Sequence, residues 1–145
     1  MQGKIPNTLM ETRIEFLVDA RIPDTYVDEA HLRMEIYQRL GEATSLEEVD
    51  QIYEEIKDRF GPLPEPARWL YHISRIRTYA STQRITLLKQ EKLSLIIEKQ
   101  VGKETSIKKI LIQWPKTPEE TEKKIFSLIA PTPKWIQKIE CTSVY

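Results

Sequence analysis

Cysteine and glycine are both scarce in this chain, and each scarcity excludes a class of chemistry. The lone thiol, Cys141, cannot close an internal disulfide and has no paired base in the sequence, so neither a disulfide scaffold nor a thiol nucleophile is expected. Four glycines, scattered at positions 3, 41, 61 and 102, are too few for a phosphate cradle, and no G-x-x-x-x-G-K-[ST] run occurs. ATP hydrolysis by this chain alone is not expected. Histidine is limited to His31 and His72, which lie apart and without cysteines or carboxylates at ligand spacing, so no metal is expected either. Both read as surface or boundary residues. No apolar run approaches the ~18 residues of a membrane-spanning helix, and Met1-Gln2-Gly3-Lys4-Ile5-Pro6 lacks the apolar stretch of a secretory signal. A cytoplasmic protein without a membrane partner is expected.

Net charge is also missing, but its distribution is uneven. Residues 1–60 hold 14 acids against 7 Lys and Arg, whereas residues 61–145 hold 8 against 15. Such a split either draws the two halves together on folding or marks an acidic surface that meets a basic partner. A dedicated duplex-binding domain would show an overall basic balance, and the sequence pI is near 6.8. At 145 residues the chain is one domain's worth, expected to fold alone as a monomer.

The elements predicted along the chain describe an α+β fold. Residues 1–11 lack periodicity and read as a linker or frayed terminus, leaving 12–145 as a single domain. Ile14, Phe16, Val18 and Ala20 alternate within Arg13 to Arg21, which predicts a half-buried strand interrupted at Leu17. Asp28 is placed to cap a helix through Leu32, Ile36 and Leu40, with Gly41 as its stop. Ser45 and Glu48 form a capping box for a second helix. A third is expected from Pro64 to about Ser81, followed by an antiparallel meander over Arg84 to Lys89, Leu93 to Glu98 and Ile107 to Trp114. Thr117, Pro118 and Glu120 then cap a fourth helix, and Trp135 to Thr142 alternates as a final strand.

Chemistry concentrates in Glu54 to Ala67, E-E-I-K-D-R-F-G-P-L-P-E-P-A. Leu46, Val49, Ile52, Tyr53, Ile56 and Phe60 recur at steps of three and four, which puts them on one helical face. Glu55 and Asp58 fall nearly opposite it and face solvent or a partner. Gly61 can take the positive φ that ends the helix, and Pro62 cannot continue it. Pro64 and Pro66 suit the next first turn. As a pair of carboxylates with no pocket implied, Glu55 and Asp58 do not suggest an acid and base. Trp69, Trp114 and Trp135, with Tyr71, Tyr79, Arg75, Arg77 and Arg84, could in principle stack bases, but core packing explains the aromatics better. The arginines read as a solvated face.

Together with Ile22-Pro23-Asp24-Thr25-Tyr26 and Leu32-Arg33-Met34-Glu35-Ile36-Tyr37, this segment resembles the C-terminal domain of the bacterial transcription-repair coupling factor, the Mfd family, over residues 12–140. The matching pattern is an Ile-Pro-x-x-Tyr strand exit, an Arg-containing helix reaching a Tyr, and a Glu-x-x-Asp-Arg-Phe-Gly-x-x-Pro helix end. After Gln83 only the hydrophobic pattern matches. The resemblance implies a non-catalytic, autoinhibitory domain of an ATP-dependent DNA translocase that removes stalled RNA polymerase and recruits UvrA to nucleotide excision repair. It implies docking on a UvrB-like module of the same polypeptide, which masks the UvrA-binding surface. Partner contacts fall by resemblance on Glu55, Asp58 and Arg59, with Phe60, Gly61, Pro62 and Pro64 holding the geometry behind them. ATP, magnesium and double-stranded DNA belong by the same resemblance to the parent's motor domains, with no cofactor in this chain. The alternative reading is a nucleic-acid-binding α+β module that uses the basic second half.

Overall fold

A computed structural model describes residues 12–130. In order, its elements are β1 (Arg13–Glu15), α1 (Ala30–Glu42), α2 (Leu46–Phe60), α3 (Glu65–Thr82), β2 (Ile85–Glu91), β3 (Ser94–Val101), β4 (Glu104–Leu111) and α4 (Pro118–Ile129). This is the α+β class expected. The linker at 1–11 and the last strand at 135–142 lie outside the described residues.

The sheet runs β1-β2-β3-β4, with β2, β3 and β4 forming the antiparallel meander. Gly102 opens the two-residue turn between β3 and β4 at φ 62, the positive value that the first position of a type II′ hairpin requires. β1 pairs with β2 in parallel, Ile14 opposite Leu88. Parallel neighbours need a crossover, and α1, α2 and α3 supply it.

Two apolar clusters form the core. One joins the sheet to α3 and α4 through Ile76, Ala80, Leu88, Leu95, Ile97 and Ile125. The other joins the 22–27 segment to α1 and α2 through Ile22, Val27, Ile36, Leu40, Val49 and Tyr53, and Leu70 and Tyr71 of α3 pack against it. The 18-residue helix α3 therefore belongs to both.

Several expected boundaries move, each for an identifiable reason. The first strand ends at Glu15 rather than Arg21, although side chains continue to alternate in burial through Ala20. The amide of Leu17 bonds the Gln90 side chain at 2.8 Å instead of a neighbouring backbone carbonyl, and Leu17 itself is exposed. Asp28 does not cap α1. Glu29 holds the N-cap position without a side-chain bond, and the Arg33 guanidinium secures the entry by donating to the Val27 carbonyl at 2.7 Å. Gly41 does not stop α1, which runs to Glu42. The stop comes from the next helix, where Glu48 reaches back to the Thr44 amide at 2.8 Å while Ser45 Oγ accepts from the Glu48 amide at 3.2 Å. Those bonds from Thr44 hold the Glu48 carboxyl below its usual range. At α4 the predicted cap forms as drawn, with Thr117 Oγ1 accepting from the Glu120 amide at 3.2 Å and Pro118 in the first turn.

The charge split between halves is not resolved by pairing across it. Among the described residues one ion pair, Asp50 with Arg75, joins residues 1–60 to residues 61–130. The other pairs are local to their half, so much of the acidic surface stays open.

Candidate functional site

The end of α2 is assembled by the three segments that stood out in the sequence. Val49, Ile52, Tyr53 and Ile56 are buried, which turns Glu55, Asp58 and Arg59 outward, all three exposed. Gly61 ends the helix at φ 93, a value costly for any residue with a Cβ, while its amide still bonds the Lys57 carbonyl at 2.9 Å. Tyr26 Oη donates to the Gly61 carbonyl at 2.6 Å and its ring lies 5.8 Å from that of Phe60. Tyr26 is fixed in turn because its amide and that of Val27 bond the Pro23 carbonyl at 3.0 and 3.1 Å. Tyr37 of α1 closes the circuit, its Oη accepting from the Ile22 amide at 2.7 Å. The strand exit, the arginine helix and the Phe-Gly helix end thus form one hydrogen-bonded unit. Pro64 stands at the N-cap of α3, so the reversal from α2 to α3 is held at both ends.

Phe60 sits at the rim of this unit rather than in the core. It is half-buried, and the Arg59 guanidinium lies 5.1 Å from its ring centroid. Phe60→Ala is accordingly expected to cost about 1 to 3 kcal/mol, below the loss for a fully buried aromatic. Urea midpoints measured beside a fully buried truncation provide the check.

The two outward carboxylates differ in a way the sequence did not signal. Glu55 is held bidentately by Arg39 of α1, with Nη1 to Oε1 at 2.9 Å and Nη2 to Oε2 at 3.1 Å. Those hydrogen bonds keep its carboxyl below the usual range. Asp58 has no ion-pair or hydrogen-bond partner among the described residues. Arg39 and Glu55 are 16 residues apart on different helices, so no spacing rule links them. A notch of about 50 Å³ lies between α1 and α2, floored by Ile36 and Ile56 and rimmed by Arg39, Glu55 and Arg59. It has room for a water molecule or two and is far smaller than the few hundred Å³ of a substrate pocket.

A second polar cluster lies behind α2, and it corrects the expected solvated face of α3. Arg75 donates to Asp50 at 2.7 Å and to Glu122 at 3.0 Å, and Tyr71 Oη adds a 2.8 Å bond to Asp50. His72, expected at a surface or boundary, does sit at the boundary, partly buried, and lies 2.5 Å from Glu122. Arg68 grips Glu119 with bonds from 2.6 to 3.2 Å, and Arg77 bonds the Leu40 carbonyl at 2.5 Å. Burial alone would raise the Glu122 carboxyl, but hydrogen bonds from His72 and Arg75 outweigh it and hold the group below its usual range. The steps 68, 72 and 75 put these basic groups on one helical face, a signal available in the sequence. Every member is satisfied, which makes the cluster a clasp between α2, α3 and α4.

Among the described residues the aromatics pack into the core, as expected, and form no stacking platform. Trp69 is buried, Trp114 packs edge-on against Phe16 and donates to the Glu91 carbonyl at 2.8 Å, and Tyr79 faces Phe126. Trp135 and Cys141 lie outside the described residues. Among the described residues no group of three or more His, Cys, Asp and Glu is placed to hold a metal ion, and no helix is long and apolar enough to cross a membrane.

Comparison with known proteins meets this geometry at the same residues. The TRCF domain family matches residues 16–110. Curated relatives named transcription-repair-coupling factor include one from Bacillus subtilis, 33% identical over 82 residues, a stretch covering 57% of this chain and 7% of that protein. One from Mycobacterium bovis is 42% identical over 76 residues, 52% of this chain and 6% of the relative. One from Escherichia coli is 33% identical over 91 residues, 63% of this chain and 8% of the relative. The matched stretch is thus a small part of each of these longer proteins. A crystal structure described as the C-terminal domain of transcription-repair coupling factor superposes with a TM-score of 0.68 at 16% identity, covering 85% of this chain and 96% of that one, and so shares the fold. Because the family match takes in the strand exit, the arginine helix, the Phe-Gly helix end and nearly all of the meander, the chain belongs to the TRCF domain family.

Proposed function

We propose that this chain is the non-catalytic, autoinhibitory C-terminal domain of a transcription-repair coupling factor, an ATP-dependent DNA translocase of the bacterial cytoplasm. In this reading it docks through Glu55, Asp58 and Arg59 on the UvrB-like module of the same polypeptide and masks the surface that recruits UvrA. Meeting stalled RNA polymerase on double-stranded DNA releases the mask. ATP and magnesium serve the motor domains elsewhere in the parent. The observation that carries the reading is the placement of the unpaired Asp58, exposed on a helix end that Tyr26, Gly61 and Pro64 hold rigid. Arginines of the docking module suit such a carboxylate. Exposed charge contacts are individually weak, yet within one polypeptide a high effective concentration keeps a weak contact closed. That combination suits a clasp that has to open.

The nucleic-acid reading loses support at α3, where Arg68 and Arg75 are already committed to Glu119, Asp50 and Glu122. Phosphates would have to displace those carboxylates.

Glu55→Ala combined with Asp58→Ala in the full-length protein is expected to raise UvrA affinity about three- to tenfold, since losing exposed charge contacts shifts the closed state by that order. Titration of UvrA at fixed salt measures it, with a protein lacking this domain as the fully open limit. If the deletion binds strongly and the double variant binds as the parent does, the mask is held by other residues. If neither binds better, the autoinhibitory reading fails.

A further inference from the structure

Arg39 stands in the proposed docking surface although nothing in the sequence pattern placed it there. Its guanidinium occupies both oxygens of Glu55 in a two-pronged fork, at 2.9 and 3.1 Å. A fork of that kind uses the same edge of the carboxylate that an incoming arginine would use. Three residues along the helix, Asp58 presents a carboxylate that no group among the described residues engages. Both carboxylates lie on the same exposed side of α2, so one partner surface meets one free acid and one occupied acid.

Resting on the docking reading, we propose that Arg39 is a positioning residue that competes with the docking module for Glu55, leaving Asp58 as the anchor. When the domain docks, Glu55 exchanges one arginine for another. The exchange returns little net affinity, because an exposed fork is broken for each one formed. Glu55 therefore contributes to the fit of the docked face and little to its strength, and the open state keeps no unpaired Glu55 carboxylate. The device makes opening easier without weakening the geometry of closure. A contrary role, in which Arg39 holds Glu55 ready for the partner, conflicts with the fork, since a carboxylate gripped on both oxygens offers a second guanidinium only its outer lone pairs.

The test uses the full-length protein with Arg39→Ala, Asp58→Ala, Glu55→Gln and the Arg39→Ala/Glu55→Gln combination, each titrated with purified UvrA at one salt concentration. Removing Arg39 frees Glu55 for the docking module, so the domain should close more tightly and UvrA binding should fall about two- to fivefold, the range an exposed pair commands. The fall should vanish in the Glu55→Gln background, where no carboxylate is released. The sign is diagnostic, because mere structural damage from losing the α1–α2 bridge would loosen docking and raise UvrA binding. If Asp58→Ala raises UvrA binding while Arg39→Ala leaves it unchanged or raises it, docking stands and the role of Arg39 is overturned. If Asp58→Ala changes nothing while domain deletion raises binding, the docking surface lies elsewhere and the proposal for Arg39 falls with it.

Discussion

Alanine at position 53 is expected to destabilise the fold by about 3 to 5 kcal/mol, the cost of removing a fully buried aromatic. Phenylalanine at the same position should cost nothing and can add up to about 1 kcal/mol. Tyr53 is 2% exposed, packs among Val49, Ile52 and Ile56, and meets Tyr71 edge to face with centroids 4.8 Å apart. Truncation empties the junction between α2 and α3, which is too crowded from both sides to collapse without loss. The hydroxyl is a different matter, because it is buried with no hydrogen-bond partner. Ser74 is near enough to pull the hydroxyl's pKa down as a weak hydrogen-bonding neighbour, but its Oγ donates to the Leu70 carbonyl at 2.7 Å and leaves Tyr53 Oη without a bond of good geometry. Deleting the oxygen thus removes a desolvated polar atom and keeps the ring.

The same burial pushes the Tyr53 hydroxyl far above its ordinary value of 10.0. The unfolded chain ionises there and the native state does not, so stability is full below that pH and falls as pH rises above it. Phenylalanine removes this residue's share of the alkaline loss. Denaturant midpoints for the parent, Tyr53→Phe and Tyr53→Ala at neutral pH and above 10 test both halves. A phenylalanine variant markedly weaker than the parent at neutral pH would show that the hydroxyl is engaged after all.

Arg75→Ala is the other large effect, expected at about 2 to 4 kcal/mol at neutral pH. Arg75 and Glu122 are each less than a fifth exposed, so removing the guanidinium strands a mostly buried carboxylate and also frees Asp50. Breaking one side of a buried pair costs about 3 to 5 kcal/mol, and the remaining bond from His72, with partial solvent access, reduces it. Arg75→Ala with Glu122→Gln should recover part of the loss, because the stranded charge is gone.

Acid provides an independent check on that pair. Glu122 has its carboxyl depressed below 4.5 in the folded state. Its contribution is therefore fully present above that value and is lost as pH falls through the depressed range. Without Arg75 the depression is smaller, so the gap in stability between parent and variant should narrow as pH drops below about 4.5. A gap that stays constant to pH 3 would place the effect in lost packing of the arginine stem.

What the sequence disclosed was chemistry between near neighbours. The Ser45 and Thr117 caps, the Gly61 stop and the proline entry into α3 depend on residues a few positions apart, and they formed where the pattern put them. The meander was visible because strands and turns alternate locally. Boundaries that depended on a distant element were misplaced, as at β1, where the Gln90 side chain takes the Leu17 amide. The outward placement of Glu55 and Asp58 followed from helical periodicity alone. Their unequal availability did not, because Arg39 reaches Glu55 across a helix pair. Arg75 illustrates the same limit. Its position on one face with Arg68 and His72 was legible, whereas the carboxylates opposite came from α2 and α4 and could be known only once the helices were packed.

The parallel pairing of β1 with β2 also bears on how the chain acquires its shape during synthesis. Thr12, just ahead of β1, bonds Ile85 and Ser81, contacts that span 73 and 69 residues. At roughly 5 to 20 residues per second, β1 leaves the ribosome several seconds before its partner strand exists. Throughout that interval its edge is open and Ile14 has no sheet to cover it. Three residues of strand offer little to a wrong neighbour, and charged Arg13 and Glu15 flank the single inward Ile14. The brevity of β1, set against the full-length strands that emerge later, keeps the earliest sheet segment inert until the helices have brought its site into being.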